Sequence, residues 1–472
     1  MNTIKYLLLT LAVFALFSCS NWLSVEPETS VDEEKLFSTE QGFKDAMAGV
    51  YADMASSTLY GQNLGFGFLE VLAQQYDYNT LNSTYNSFYR VKEYEYTYST
   101  VKSQISTIWL KMYNTIAEVN NIFRWMDKNG SVLPEATRHR IKGQCYIARA
   151  YLHYDLLRLF APDVQRQPNE RGIPYVETFG IIPTEANTVA EVIEKIKKDL
   201  TAAKEELKDD PILQVVPFEI EDKTVCDQYV AQANYYTAEA LLARVYLNEG
   251  NYVEARNAAQ RVIQSGKFRL VDQESSINVP KEELDILFND EHIFSLRNTN
   301  IRTYSENLHL GKSENGVTSG AALPLTSNIQ DIFDGNNDDV RYSTWVRQSD
   351  SYLMKYSQDI KRFYPKQVLI KLAEMYLICA EAQFKLHDDD ALETLNILRR
   401  SRITNLATSD KYQLDMQVLL SEMRREFIGE GQLFFAYKRL NSPIYNVLND
   451  VEPSDRVFVL PIPDDELEYG KY

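Results

Sequence analysis

Apolar positions recur three or four residues apart along most of the chain, the period that places them on one face of an α-helix. In TEQGFKDAMAGVYADMA, residues 39–55, Phe43, Met47, Val50 and Met54 share such a face. The stretch QISTIWLKMYNTIAEVNNIFRWM, 104–126, puts Ile105, Ile108, Trp109, Met112, Ile116, Val119 and Phe123 on one stripe, so its tryptophan belongs to packing. A third helix is predicted over 136–160, with Pro162 as its stop. TVAEVIEKIKKDLTAAKEEL, 188–207, opens with Thr188 and Glu191 at capping-box spacing. Residues 270–366 differ. Short apolar runs such as HIFSLR alternate there with polar ones such as NTNIRTYSENLHLGKSENGVTSG, and no helical stripe persists. Irregular backbone with short strands is expected.

The segment AEALLARVYLNEGNYVEARNAAQRVI, 238–263, reads as two helices around a polar break at Asn248–Asn251. Ala243, Tyr246, Gly250, Tyr252, Ala255 and Ala259 fall at tetratricopeptide-like offsets, and LAEMYLICAEAQFKLHDDDALETLNILRR, 372–400, repeats the arrangement. Such a hairpin cannot bury its apolar face alone, so stacked neighbours are required. Periodicity alone also fits generic helical hairpins. The expected fold is mainly α: a tetratricopeptide-like helical scaffold over about 39–265 and 367–440, carrying a large loop-rich insert at about 270–366 with a few short strands. No Pro/Gly/Ser-rich linker divides the chain, so residues 19–472 form one domain.

The N-terminus, LLLTLAVFALFSCSNW, follows one cation, Lys5, with an apolar run too short to span a bilayer. That is the form of an export signal over residues 1–18. Leu16-Phe17-Ser18-Cys19 resembles the lipobox of bacterial lipoproteins, in which the cysteine becomes the new N-terminus and carries acyl chains. Cys19 is therefore the expected lipidation site. The remaining cysteines, Cys145, Cys226 and Cys379, are too irregularly spaced for a disulfide framework or a zinc site. A formal charge of −18 argues against nucleic acid and anionic lipid as partners.

Thirty-one tyrosines suggest a flat ligand, since the ring stacks and the hydroxyl hydrogen-bonds. The densest cluster, YDYNTLNSTYNSFYRVKEYEYTY at 76–98, lacks helical spacing and alternates with polar residues. Tyr76, Tyr78, Tyr85 and Tyr89 are its candidate contacts, and Tyr304, Asn307 and His309 form a second group in the insert. Enzyme motifs fail. LGKSENG lacks the first glycine of a phosphate loop, with Glu306 in its place; GFG at 65–67 lacks the third glycine of a dinucleotide turn. No H-E-x-x-H or G-x-S-x-G occurs. DGNNDD at 334–339 could bind structural calcium, yet Asp339 stands where an EF-hand loop needs glycine, so no metal or cofactor is expected.

Taken in order, NWLSVEP, LFSTEQGFKDAMAGVY, IWLKMYNTIAEVNNI, KGQCYIARAYLHYDLLRLFAPDV, GIPYV, LAEMYLICAEA with ETLNILRRSR, RREFIGEGQLFFAYKRL and VLPIPDDEL resemble the blocks of the SusD/RagB family of outer-membrane nutrient-binding lipoproteins. Lys371 replaces a common arginine, and Ala161 the usual glycine. Ser20-Asn21-Trp22 lacks the acidic residues that often direct lipoproteins to the outer face. The resemblance implies a non-catalytic receptor, lipid-anchored on the exterior of the outer membrane. It would capture an oligomeric nutrient, a glycan, for a SusC-like TonB-dependent transporter. Two alternatives stand beside it: a tetratricopeptide-like envelope scaffold for protein partners, and capture of peptides.

Overall fold

The computed structural model describes residues 33–81, 88–280, 283–311, 322–326, 329–357, 363–406, 413–446 and 448–471. Helix α1 (Glu40–Met54) starts where the Thr39 side chain accepts a hydrogen bond from Gly42 N at 3.1 Å, and it buries Phe43, Met47, Val50 and Met54 as the stripe predicts. Helices α2 (Ser99–Asn129), α3 (Glu135–Phe160) and α4 (Val189–Glu206) follow, α4 with the Thr188–Glu191 capping box in place. Helix α5 (Tyr235–Glu249) ends on Gly250 at φ 81, and α6 (Tyr252–Ile263) begins two residues later. Ala243, Ala255 and Ala259 are fully buried at their interface, where larger side chains would force the two helices apart.

After the insert come α8 (Leu372–Lys385), α9 (Ala391–Arg402), α10 (Met416–Glu426) and α11 (Leu433–Leu440). From α1 to α6 each helix packs on the next, and the row continues as α6 on α8 and α8 on α9. This is the stacked-hairpin scaffold read from the sequence. Because α6 touches α8 directly, residues 264–371 leave the row and return to it. Two strands close the base of this excursion: β1 (His292–Arg297) and β2 (Lys366–Lys371) pair antiparallel, His292 opposite Lys371 and Arg297 opposite Lys366. Every residue of β2 is buried, so the insert is rooted in the core. It is less irregular than expected. The polar run around Tyr304 forms a ten-residue helix, α7 (Ile301–Leu310), capped by Gly311 at φ 62.

A buried ionic network fastens the insert to α9 and α10. Arg402 donates to Glu291 at 2.7 and 2.8 Å and to Glu426 at 3.0 and 2.9 Å. Arg341 spans Asp339 at 2.7 Å, Glu422 at 2.6 Å and Glu426 at 2.8 Å. Lys371 donates to Glu426 Oε1 at 2.7 Å and Glu430 Oε1 at 2.6 Å, and Lys355 reaches Glu430 at 2.5 Å. Buried charges are tolerated because each meets at least one partner of opposite sign, and Arg341, Arg402, Lys371 and Glu426 meet two or three. Asp339 of the DGNNDD turn is consumed here, capping the Val340–Trp345 helix and holding Arg341. Among the described residues no cluster of His, Cys, Asp and Glu could hold a metal ion, and no helix is long and apolar enough to cross a membrane. Cys145, Cys226 and Cys379 are free and buried.

Two expectations follow beside this network. Gly431 sits at φ +68, and a Cβ there would lie 2.0 Å from the Leu64 carbonyl oxygen. Gly431→Ala should therefore cost about 2 kcal/mol or more, since left-handed strain is joined by a backbone clash. A denaturant midpoint unchanged from wild type would refute this. Gly431 N also donates to Glu70 Oε1 at 2.9 Å. Burial pushes the Glu70 carboxyl from 4.5 up to about 8, against the backbone N–H groups of Gly431 and Gly429. A raised carboxyl contributes its stability in full below its unfolded value and loses it as the pH climbs through about 8. Glu70→Gln keeps the acceptor and removes the ionisation. It should match wild type near pH 5 and exceed it above about pH 8, by a few kcal/mol in unfolding free energy.

Candidate functional site

The tyrosine segment and the insert meet. Asp77 N donates to Pro324 O at 3.0 Å and Thr326 N to Gln75 O at 2.9 Å, so residues 75–77 and 324–326 run antiparallel through the Tyr76–Leu325 bridge. On the other side Leu325 N donates to Ser351 O at 2.8 Å. Below this seam the Tyr76 ring lies 5.5 Å from the ring of His309 at the end of α7. Both sequence-predicted groups therefore belong to one locus.

The residues that join them are nevertheless not surface contacts. Tyr76 is 2% exposed, its hydroxyl donating to Phe66 O, and His309 is fully buried against Phe66 and Tyr76. Burial holds the His309 imidazole down at about 4, hence neutral, with Nδ1 3.4 Å from Leu323 O. The expectation that Tyr76 and His309 touch ligand is thus corrected: they support the seam. Their polar sequence neighbours suggested exposure, but Phe66 packs on His309 and accepts from Tyr76, and Tyr356, far along the chain, packs on Phe66 in turn. Tyr304 is half-buried and Asn307 exposed on α7. Tyr85 and Cys19 lie outside the described residues.

What reaches the surface is Tyr98 and Glu93, exposed, with Tyr78, Tyr89 and Arg90 half-buried and Lys92 buried beneath them. The Tyr78 hydroxyl donates to Glu93 Oε1 at 2.9 Å, and the buried Lys92 ammonium sits 3.5 Å from the Tyr78 ring centroid, also pairing with Glu93. One face of Tyr78 is covered in this way. The Arg90 guanidinium lies 4.7 Å from the Tyr89 centroid and 4.9 Å from that of Tyr98, which is 45% exposed, and it reaches Glu95 at 2.9 Å. Partial burial raises the Glu93 carboxyl, but hydrogen bonds from Lys92 and Tyr78 outweigh it and hold the group below its usual range. The patch therefore offers aromatic faces beside a fixed carboxylate and a guanidinium.

This loop is held tightly. Gln74 Nε2 donates to Lys92 O at 2.9 Å and the Tyr94 hydroxyl to Leu72 O at 2.9 Å, while the Tyr96 hydroxyl donates to Val457 O at 2.6 Å. Gln74 and Tyr94 both adopt φ 56, a left-handed conformation that non-glycine residues hold only when surroundings enforce it. Sequence reasoning passed over Tyr98, Arg90 and Lys92. Their only signal was position, in the last residues before α2.

A second concave feature lies in the scaffold between α1 and α3. It is a groove of about 840 Å³ with Met47, Tyr51, Ile141 and Leu207 in its lining and Lys44, Glu135, Arg140 and Asp209 among its polar groups.

Family comparisons agree with this architecture. Residues 21–247 match a SusD-like family described as starch-binding and associating with the outer membrane, and residues 291–467 match the SusD family itself. The chain belongs to the SusD/RagB family. Two curated relatives from Formosa agariphila are SusD-like protein P2, 25% identical over 53% of this chain, and SusD-like protein P25, 22% identical over 62%. The matches span 44% and 51% of those relatives, about half their length. Among solved structures, a SusD superfamily protein from Bacteroides thetaiotaomicron superposes with a TM-score of 0.69 at 21% identity, covering 92% of this chain and 98% of that one. A protein from Bacteroides vulgatus described as sugar binding gives 0.69 at 20% identity, covering 92% and 97%. These likenesses establish the fold.

Proposed function

We propose that this chain is an outer-membrane lipoprotein, anchored through Cys19 and facing the exterior, that captures a glycan and passes it uncut to a SusC-like TonB-dependent transporter. The observation that carries the reading is the rigidly held patch of Tyr78, Tyr89 and Tyr98. The C–H faces of a sugar ring pack on such aromatics, and its hydroxyls find the Glu93 carboxylate and the Arg90 guanidinium. Tyr304 and Asn307 on α7 are proposed as further contacts. The starch-binding and sugar-binding descriptions of the family and of its Bacteroides vulgatus member point the same way. Catalysis is not proposed. Glycoside cleavage needs a carboxyl raised to act as a general acid, whereas Glu93 is held lowered and ionised.

A glycan microarray probed with wild type and Tyr89→Ala tests this. Selective wild-type signal that the variant loses is expected, and a blank array contradicts it. A peptide-binding or scaffolding reading has one observation in its favour, the groove between α1 and α3, whose apolar and mixed-charge lining suits an extended peptide. It predicts that the array stays blank while a peptide library binds and Tyr51→Ala abolishes that binding.

A further inference from the structure

Beside Glu33 and Arg124, large apolar side chains stand in water. Ile181 is 100% exposed and Ile182 82%, with Phe179 and Leu36 at 39% each. Residues 179–182 lie on a loop whose ends are held by two short antiparallel strands, Arg171–Pro174 and Ala186–Thr188. Single exposed apolar residues are common on any protein surface, but two adjacent isoleucines at a loop tip beside a phenylalanine are not. Among the described residues, nothing covers the two isoleucines.

Their position is informative. The Phe179 ring lies 4.2 Å from the guanidinium carbon of Arg124, and the same guanidinium donates to the Glu33 carboxylate at 2.5 Å. Glu33 also accepts from Trp125 Nε1 at 3.3 Å. It stands fourteen positions after Cys19. Arg124 therefore ties the apolar loop to Glu33, and Leu36 is one turn further on.

We propose that the loop Phe179–Ile182 is a second, apolar contact with the bilayer that holds the acyl chains of Cys19. The proposal rests on the lipid-anchor reading above. Fourteen residues span at most about 50 Å, and because Arg124 joins Phe179 to Glu33, the loop lies at the part of the molecule nearest the tether. An acidic chain has no electrostatic attraction to an anionic surface, which leaves apolar insertion as the force available. Tethering raises the effective concentration of the loop at the membrane, so a contact too weak to recruit free protein is populated once the anchor is in place. The loop would then set how the receptor stands on the membrane.

A Cβ added at Gly180 would meet no atom within 4 Å, and Cys145, Cys226 and Cys379 are buried, so Gly180→Cys accepts an environment-sensitive dye selectively. The acylated full-length protein is reconstituted into vesicles of phosphatidylethanolamine and phosphatidylcholine, with Asp389→Cys in the exposed α8–α9 turn as reference. The dye at position 180 should shift to an apolar environment while that at 389 does not. Ile181→Ser with Ile182→Ser should reduce the membrane-facing fraction about tenfold or more. A dye at 180 as water-exposed as the one at 389, on protein whose N-terminal peptide carries acyl chains by mass, overturns the proposal alone. Shielding that requires added transporter also overturns it and gives the loop to a protein partner. A Cys19 peptide without acyl chains overturns the anchor reading and this proposal with it.

Discussion

Glu426→Ala is expected to destabilise the protein by about 3–5 kcal/mol, the cost of stranding buried charge. Three cations converge on this carboxylate: Arg402, Arg341 and Lys371. Burial by itself would raise Glu426, but these three outweigh it and hold the group well below the usual carboxylate range. With the folded value depressed, its stabilisation is present above the unfolded value of about 4.3 and is lost as the pH falls through the lower folded value. Urea unfolding of wild type and variant should therefore differ widely near pH 7 and converge in strong acid. The expected damage is not confined to α10. Glu291 at the root of β1 and Lys355 in the insert belong to the same network, so the seam beneath the tyrosine patch should loosen with it. A gap below about 1 kcal/mol at neutral pH would mean that the network contributes little to stability.

The second large effect concerns binding. Tyr78→Ala with Tyr89→Ala should weaken glycan affinity roughly 30-fold or more, since each lost stacking face is worth about 1 kcal/mol or somewhat above. The two rings are not equivalent. Tyr78 covers Lys92 and donates to Glu93, so its alanine variant also uncovers a buried cation. Tyr78→Phe keeps the ring and loses only the donor. It should retain most affinity, whereas Tyr89→Ala should lose affinity with little change in unfolding midpoint. Equal affinities for wild type and the double variant, both folded by circular dichroism, would remove the patch from the binding site.

The helical scaffold was legible because its signals are local. Stripes such as Ile105 to Val119, the Thr188–Glu191 box and the polar break after Tyr246 each appear in a short window; the first two survive unchanged, and the break narrows from Asn248–Asn251 to Gly250 and Asn251. The candidate site was legible only as a neighbourhood. Tyr78 and Tyr89 are half-buried at its edge, but burial of Tyr76 and His309 comes from their contact with each other and with Phe66, which Tyr356 backs from far along the chain. Helix α7 was missed for a related reason: RTYSEN carries too few apolar residues to show a stripe, and α7 is positioned by contacts at Ile301, Ser305 and His309. Charged residues concealed more still. Nothing in the sequence marks Arg341, Arg402 and Glu426 for burial, yet they are fully buried, because ion pairing depends on partners that spacing does not reveal.

Capture without cleavage is tested most directly by titrating the purified protein calorimetrically with a panel of defined oligosaccharides and then weighing the recovered ligand by mass spectrometry. Saturable binding of at least one glycan, recovered intact and no longer bound by the Tyr78→Ala/Tyr89→Ala variant, is the predicted result. Binding to none of them, or recovery of shortened products, would contradict it.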